Sequence, residues 1–266
     1  MKNSEKLADY FFEIASWQRL EILLYLNQEK STPSKLAKFL NSTNQEIHRN
    51  FERLKKSNFI LKNSEGLYQL TPFGQMILVQ TTPFLFMSNN AKYFSEHGFK
   101  NIPKQFIQRI GSLESAKHIQ GFVKVQEKWL SIYKNSQKLI YSILFDVPYT
   151  DEILQTISEK LGKKTQIKSL FSESALIPKQ RRVLLKKPEF KGISNHKNFE
   201  RKMNKNITAV VVLNEKEASV CFPLTSGEVD VSQMFYGDTP EFVKWCHDYF
   251  DETWANSTSF SEAKIR

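Results

Sequence analysis

Residues 43–74 read TNQEIHRNFERLKKSNFILKNSEGLYQLTPFG, and this stretch decides the fold of the first third of the chain. Its first half predicts a helix over about 43–57. Two overlapping capping boxes start it, Ser42 with Gln45 and Thr43 with Glu46: a hydroxyl and a long polar side chain three residues apart satisfy the orphan amides of a first turn. Ile47, Phe51 and Leu54 then fall on one face at helical spacing. Phe59 to Lys62 reads as a short strand, Asn63-Ser64-Glu65-Gly66 as a turn and Leu67 to Leu70 as the returning strand, a hairpin over 59–70. Thr71-Pro72 opens another helix, with proline where the missing amide has no intrahelical partner to lose. Upstream, Ala15 to Leu26 is dense enough in Leu and Ile for a largely buried helix. Ser31-Thr32-Pro33 starts a short amphipathic helix carrying Leu36, Ala37 and Leu40, which ends at Asn41.

Three helices joined by a tight turn and followed directly by a hairpin form a winged helix-turn-helix. The order, with its closing LTPFG, resembles the winged-helix domains of ArsR- and MarR-type transcription regulators over roughly residues 12–80. With Ile47, Phe51 and Leu54 turned inward, the outward arc of the third helix holds Gln45, Arg49, Glu52, Arg53 and Lys56, with Asn44 and His48 at its edge. Arg and Gln make paired hydrogen bonds to guanine and adenine edges in the major groove, and Lys neutralises phosphate. Gln45, His48, Arg49 and Arg53 are therefore the expected base-facing set, with Asn44 and Lys56 beside them and Lys62 and Asn63 of the wing on the DNA backbone. Outside a helix-helix-wing frame, the same face would read as merely solvated. Glu52 opposes binding unless it accepts from cytosine or pairs with Arg49 or Lys56.

The same pattern also occurs as a dimerisation domain in small-molecule O-methyltransferases. Those enzymes need a glycine-rich loop after the first strand of the next domain, where backbone approaches the cofactor closely. Here that strand, Lys138 to Phe145, is followed by Asp146-Val147-Pro148-Tyr149, without glycine. The S-adenosylmethionine-dependent enzyme is the runner-up reading.

After the wing, 73–94 reads as mostly helical with a break at Thr81-Thr82-Pro83, and the polar Glu96-to-Pro103 patch reads as a linker. Expected domains are thus 1–95 and 96–266. Helices are expected at about 103–110 and 116–134, then strand 138–145, helix 150–161, strand 165–171 and helix 178–187, a βαβα order that argues for a parallel pair. Ile207–Leu213 and Ala218–Leu224 read as an antiparallel hairpin, and Pro240–Ala255 as a last helix. The fold class is mixed, α+β: a winged helix followed by a mixed α/β domain. FERKMNKNITAVVVLNEKEASVCFPLTSGEVD, YGDTPEFVKWCHDYFDETW and the lead-in SEHGFKNIPKQFIQRIGSL resemble the C-terminal sensor domain of archaeal winged-helix regulators related to the methanogenesis-filament regulator. The matching positions are Arg201, Gly227, Asp230, Trp245, Cys246, Asp248, Phe250 and Trp254. Ser226 and Glu228 depart from the Asp-Gly turn usual there. The resemblance implies an archaeal, cytoplasmic, DNA-binding regulator, homodimeric because such domains read two-fold operators. Leu7, Tyr10, Phe11 and Ile14 and the helix after the wing are the expected dimer interface.

The chain has 266 residues, 40% of them hydrophobic, with 38 Lys and Arg against 28 Asp and Glu, net +10. Length and composition suit two folded domains and exclude a disordered tail. No apolar run is long enough to span a membrane, and the first residues lack a signal-peptide pattern. Two cysteines, Cys221 and Cys246, make neither a disulfide framework nor a zinc cluster. Residues 1–95 carry 12 basic against 8 acidic groups, residues 96–205 carry 22 against 10, and residues 206–266 carry 4 against 10. The excess thus sits outside the expected DNA-reading domain. Ligands of α/β sheets bind beyond the carboxyl ends of the strands, which makes Asp146, Ser172, Glu173, Arg181 and Arg182 the candidate site for a small anionic or polar effector. The aromatic stripe of the last helix, with Cys246 in it, reads as core rather than as a ligand pocket. No metal-ligand spacing of the five histidines, no G-x-S-x-G elbow, no phosphate-binding loop and no H-x-K repeat of the phospholipase D type is present. No cofactor, metal or enzymatic activity is expected.

Overall fold

A computed structural model of the chain describes residues 2–145, 150–175, 183, 187–190 and 192–261. It divides into two compact units, residues 1–84 and 85–266. The first unit begins with α1 (Lys2–Ile14), α2 (Trp17–Gln28), α3 (Pro33–Phe39) and α4 (Asn44–Lys56). Thr32 caps α3 and Thr43 caps α4, each hydroxyl accepting from the amide three residues on. Of the two capping boxes in the sequence, α4 uses Thr43 with Glu46. Strands β1 (Ile60–Lys62) and β2 (Tyr68–Leu70) pair antiparallel, Leu61 opposite Gln69, and form the wing. The core holds Ile22, Leu23, Leu36, Ile47, Phe51, Leu54 and Phe59, none with measurable solvent exposure. Each such side chain removed from water stabilises by ~1.5–3 kcal/mol.

Helix α5 (Pro72–Asn89) runs through Pro83 without ending. The expected break at residues 81–83 is thus absent: proline removes one amide donor, the partner of the Val79 carbonyl, and the helix continues past that single loss. Division between the units falls inside α5, eleven residues before the expected domain boundary, because Phe86, Tyr93 and Phe94 pack into the core of the second unit.

The second unit continues with α6 (Ala91–Phe94), α7 (Lys104–Gln108), β3 (Lys117–Gln120), α8 (Phe122–Asn135), β4 (Leu139–Leu144), α9 (Asp151–Gly162), β5 (Gln166–Ser172), β6 (Phe199–Asn204), β7 (Val210–Asn214), β8 (Ala218–Cys221), β9 (Gln233–Gly237), α10 (Pro240–Ala255) and β10 (Thr258–Ser259). Its eight strands lie in the order β10-β6-β5-β4-β7-β8-β9-β3. β4 and β5 are parallel, as the βαβ pattern predicts; β6 adds a third parallel strand beside β5, and the remaining pairings are antiparallel. The sheet has two buried faces. Val211, Leu213 and Val220 lie with α10 on one, and Val210, Val212 and Cys221 with α8 and α9 on the other. This alternation on β7 explains the unbroken apolar run at 209–213.

Three expectations need correction. The 96–103 linker is built into the second unit: Gly98 donates to the carbonyl of Pro223, and Thr225 donates to that of Glu96. The helix expected from 116 begins at Phe122, because Lys117 to Gln120 pair with β9 as an edge strand. Strands β6 and β9, one charged and one short, carry no sequence signal and were not expected. The helix expected at 178–187 falls largely outside the described residues. On α10, Phe242, Trp245, Cys246, Tyr249 and Phe250 are buried against the sheet, so the stripe is core.

Candidate nucleic-acid interface

Helix α4 is held by its buried face. Ile47, Asn50, Phe51 and Leu54 point inward, and Phe51 meets Tyr68 of the wing edge-on at 4.7 Å. Asn50 is the polar member of this face. It donates to Gln18 Oε1 at 2.9 Å, and Gln18 donates to Ser42 Oγ at 3.0 Å. Two amides thereby fix the turn between α3 and α4 onto α2. Such a pairing joins residues 32 apart, which is why the local sequence pattern did not reveal it.

The opposite face is open. Asn44, Gln45, His48, Arg49, Glu52, Lys55 and Lys56 are exposed. Among the described residues, Gln45, His48 and Arg49 engage no hydrogen-bond or ion-pair partner. Lys55, not in the expected set, belongs beside Lys56: Glu52, Arg53, Lys55 and Lys56 line one shallow groove.

Arg53 differs from the expectation that it faces bases. Its Nε and Nη2 donate to the two carboxylate oxygens of Glu13, at 3.0 and 2.7 Å, and its guanidinium lies 5.2 Å from the centre of the Phe12 ring. Two of its five N–H donors are thus occupied, and Glu13 fixes the direction in which the guanidinium points. Glu13 in turn sits 3.2 Å from Arg19, which is buried and also donates to the carbonyls of Phe12 and Glu13. Hydrogen bonding to Arg53, helped by the charge of Arg19 and opposed by partial burial, holds the Glu13 carboxyl below the usual carboxylate range. Glu13, Arg19 and Arg53 therefore anchor α1 to α4.

On the wing, Lys62 is exposed, with its ammonium 5.7 Å from the centre of the Tyr68 ring. Asn63 shapes the turn instead of facing outward freely. Its Oδ1 accepts from the backbone amides of Glu65 and Leu67, at 3.0 and 2.9 Å, and its Nδ2 donates to Glu65. Gly66 completes that turn with φ of 81°. At the wing's exit the Thr71 hydroxyl donates to the carbonyl of Asn58 and accepts from the amide of Gly74. A Cβ on Gly74 would lie 2.1 Å from the carbonyl oxygen of Phe59, so this glycine of LTPFG is required by backbone contact.

Of the expected effector residues, Ser172 and Glu173 are described. Asp146, Arg181 and Arg182 lie outside the described residues. Ser172 is buried at the end of β5, its hydroxyl bonded to that of Ser174 and accepting from the Ser174 amide, which commits it to a turn. The Glu173 amide donates to the carbonyl of Asn204. A pairing not foreseen joins two segments of the sensor-domain resemblance. His97 Nε2 lies 2.8 Å from Asp230 Oδ2, and Nδ1 lies 3.0 Å from the carbonyl of Tyr93, whose ring stacks on the imidazole at 3.8 Å. Cys221 and Cys246 are free thiols on opposite faces of the sheet, and burial pushes both well above the usual thiol range. Among the described residues no group of His, Cys, Asp and Glu is placed to hold a metal ion, and no helix is long and apolar enough to cross a membrane.

No family model and no curated protein sequence matches the chain. Among solved structures, it is similar to TrmBL2, described as an archaeal chromatin protein with a novel mode of DNA binding, at 12% identity and TM-score 0.40 over 91% of this chain and 94% of that one. It is similar to the phospholipase D family member Nuc from Salmonella typhimurium at 9% identity and TM-score 0.39, over 56% of this chain and all of that one. An IclR homolog from Microbacterium sp. strain HM58-2 is similar at 9% identity and TM-score 0.24, over 91% of this chain and 99% of that one. Likeness of this degree assigns no function.

Proposed function

We propose that the protein is a transcription regulator that reads duplex DNA with α4 in the major groove and the β1–β2 wing on the backbone. The observation that carries this reading is the face of α4: Gln45, His48 and Arg49 stand exposed and unengaged on a helix whose opposite face is locked into a helix-helix-wing core. A face with unengaged donors at base-reading spacing is the arrangement direct readout requires. Lys55, Lys56 and Lys62 supply phosphate neutralisation, while Arg53 and Asn63 position the helix and the turn. No catalytic step belongs to this reading.

The regulator acts as a homodimer through the first unit. Leu7 and Phe11 of α1 and Met76, Val79 and Phe84 of α5 are large apolar side chains left exposed, and Phe11 meets Phe84 edge-on at 6.4 Å. An apolar surface on these two helices suits a self-complementary two-fold interface. The second unit then serves as the sensing or assembly domain.

The test is Arg49→Ala. Its discrimination between the selected operator and a base-substituted duplex is expected to fall by ~1–3 kcal/mol, with wild-type stability retained. Unchanged discrimination in a titration against both duplexes overturns the assignment of α4.

A further inference from the structure

The second unit carries more positive charge than its folding engages. Arg109 pairs with Asp248, Lys128 with Glu217, Lys134 with Glu152, Lys168 with Glu200 and Lys187 with Asp151. Lys160 donates to the carbonyls of Lys134 and Ser136, and Lys202 to that of Trp254, so both close helix ends. Ten others have no such role among the described residues: Lys92, Lys104, Lys117, Lys124 and Lys205 elsewhere on the unit, and the five that follow. Lys138, Lys163, Lys164, Lys197 and Lys216 are exposed, and among the described residues their side chains have no hydrogen-bond or ion-pair partner.

These five converge on one end of the sheet. The Gln166 amide donates to the carbonyl of Lys138 where β4 and β5 begin, and the Ile167 amide donates to that of Asn198 where β6 begins. Asn198 Nδ2 donates to the carbonyl of Lys164, tying the exit of α9 to the entry of β6. Lys163 caps α9. The Glu215 carboxylate accepts from the amides of Gln137, Lys138 and Leu139, which sets the β7–β8 turn, with Lys216 in it, against the start of β4. With neighbouring strands ~4.8 Å apart, the rim across β7, β4, β5 and β6 is ~15 Å long. The acids beside it are engaged: Glu215 by those three amides, Glu159 by Gln155, Glu200 by Lys168 and Glu152 by Lys134.

We propose that this lysine rim, at the amino ends of the parallel strands, is a second duplex-DNA contact that lies along the sugar-phosphate backbone and adds affinity without reading sequence. The inference rests on the DNA-binding reading of the first unit and extends it to the second. A long row of flexible, unpaired ammonium groups on an open edge matches a line of phosphates, whereas a small anion requires converging donors in an enclosed site. Lysine is suited to this role because it neutralises phosphate as a point charge and makes no geometric demand on the base.

The experiment is a salt titration of full-length protein on the selected operator and on random-sequence duplex DNA, followed by fluorescence anisotropy. It compares wild type, Arg49→Ala, and the combined variant Lys138→Gln, Lys163→Gln, Lys164→Gln, Lys197→Gln. Each phosphate deprived of its lysine lowers the slope of log affinity against log salt by ~0.9, so the combined variant is expected to reduce that slope by ~3–4, equally on all sequences. The four corresponding Lys→Arg changes should retain the slope, and they control for damage to the fold. If wild type binds with a preference that depends on Arg49 and the Gln variant keeps the full slope, the rim is not a DNA contact, while the reading of α4 stands. If wild type fails to bind duplex DNA at low salt, both fall together.

Discussion

Arg49 and Arg53 stand one turn apart on the same exposed face of α4, yet only Arg49 has all its donors free. Glu13 holds Arg53 by both oxygens and also balances the buried Arg19. Glu13→Gln should therefore loosen α1 and lower stability at neutral pH by roughly 1 kcal/mol, since the buried Arg19 loses its charge balance and Arg53 one of its two carboxylate acceptors. The pH dependence has a definite sign. The folded-state value of Glu13 is depressed, so its contribution is complete above the unfolded carboxylate value of ~4.3 and disappears as pH falls through the folded value. Urea unfolding of wild type and Glu13→Gln should thus differ near neutrality and converge in strong acid; a gap that stays constant with pH would count against the anchor. The sequence showed which face of α4 looks outward, because helical spacing is local. It could not show which arginine is already occupied, because the occupying carboxylate is 40 residues away.

At the scale of elements, the wing and its exit are set by close contacts of backbone. The Gly74 site leaves no room for a methyl group beside the Phe59 carbonyl. Gly74→Ala should cost roughly 1–3 kcal/mol by overpacking and lower the thermal midpoint, with the smallest effect expected if α5 can tilt. A midpoint equal to wild type by differential scanning calorimetry would show that the contact is not tight. Elements with a strong pattern were legible: α3 and α4 by their caps, the wing by its turn, and β4, β5, β7 and β8 by their apolar runs. Those missed have a common physical cause. Lys117-His118-Ile119-Gln120 and Phe199-Glu200-Arg201-Lys202-Met203-Asn204 are strands through their partners rather than their composition, β3 by pairing with β9 and β6 by lying between β5 and β10. Likewise, Pro83 reads as a helix breaker, but one missing hydrogen bond does not overcome the packing of an 18-residue helix.

For the whole molecule, the exposed apolar surface on α1 and α5 is the basis of the proposed assembly of copies through the first unit. Phe11→Asp should convert the proposed dimer to a monomer in light scattering at micromolar concentration, with its circular dichroism spectrum unchanged, because the side chain is half-exposed in one chain and needs no repacking there. A dimer that persists would place the interface elsewhere. The charge is also resolved at this scale. In the second unit, part of the excess closes helix ends and balances acids, and five of the lysines left over stand along one rim. The pairing of β3 with β9 has a consequence for biosynthesis. The first unit is complete in sequence by residue 84, whereas Gln120 must wait for Gln233, 113 residues later. At ribosomal rates of ~5–20 residues per second, β3 therefore waits on the order of ten seconds for its partner, while the apolar strands β4, β5 and β7 emerge and the sheet stays unclosed. The first unit can fold in that interval, so the segment most in need of a chaperone is the one emerging behind an already folded domain.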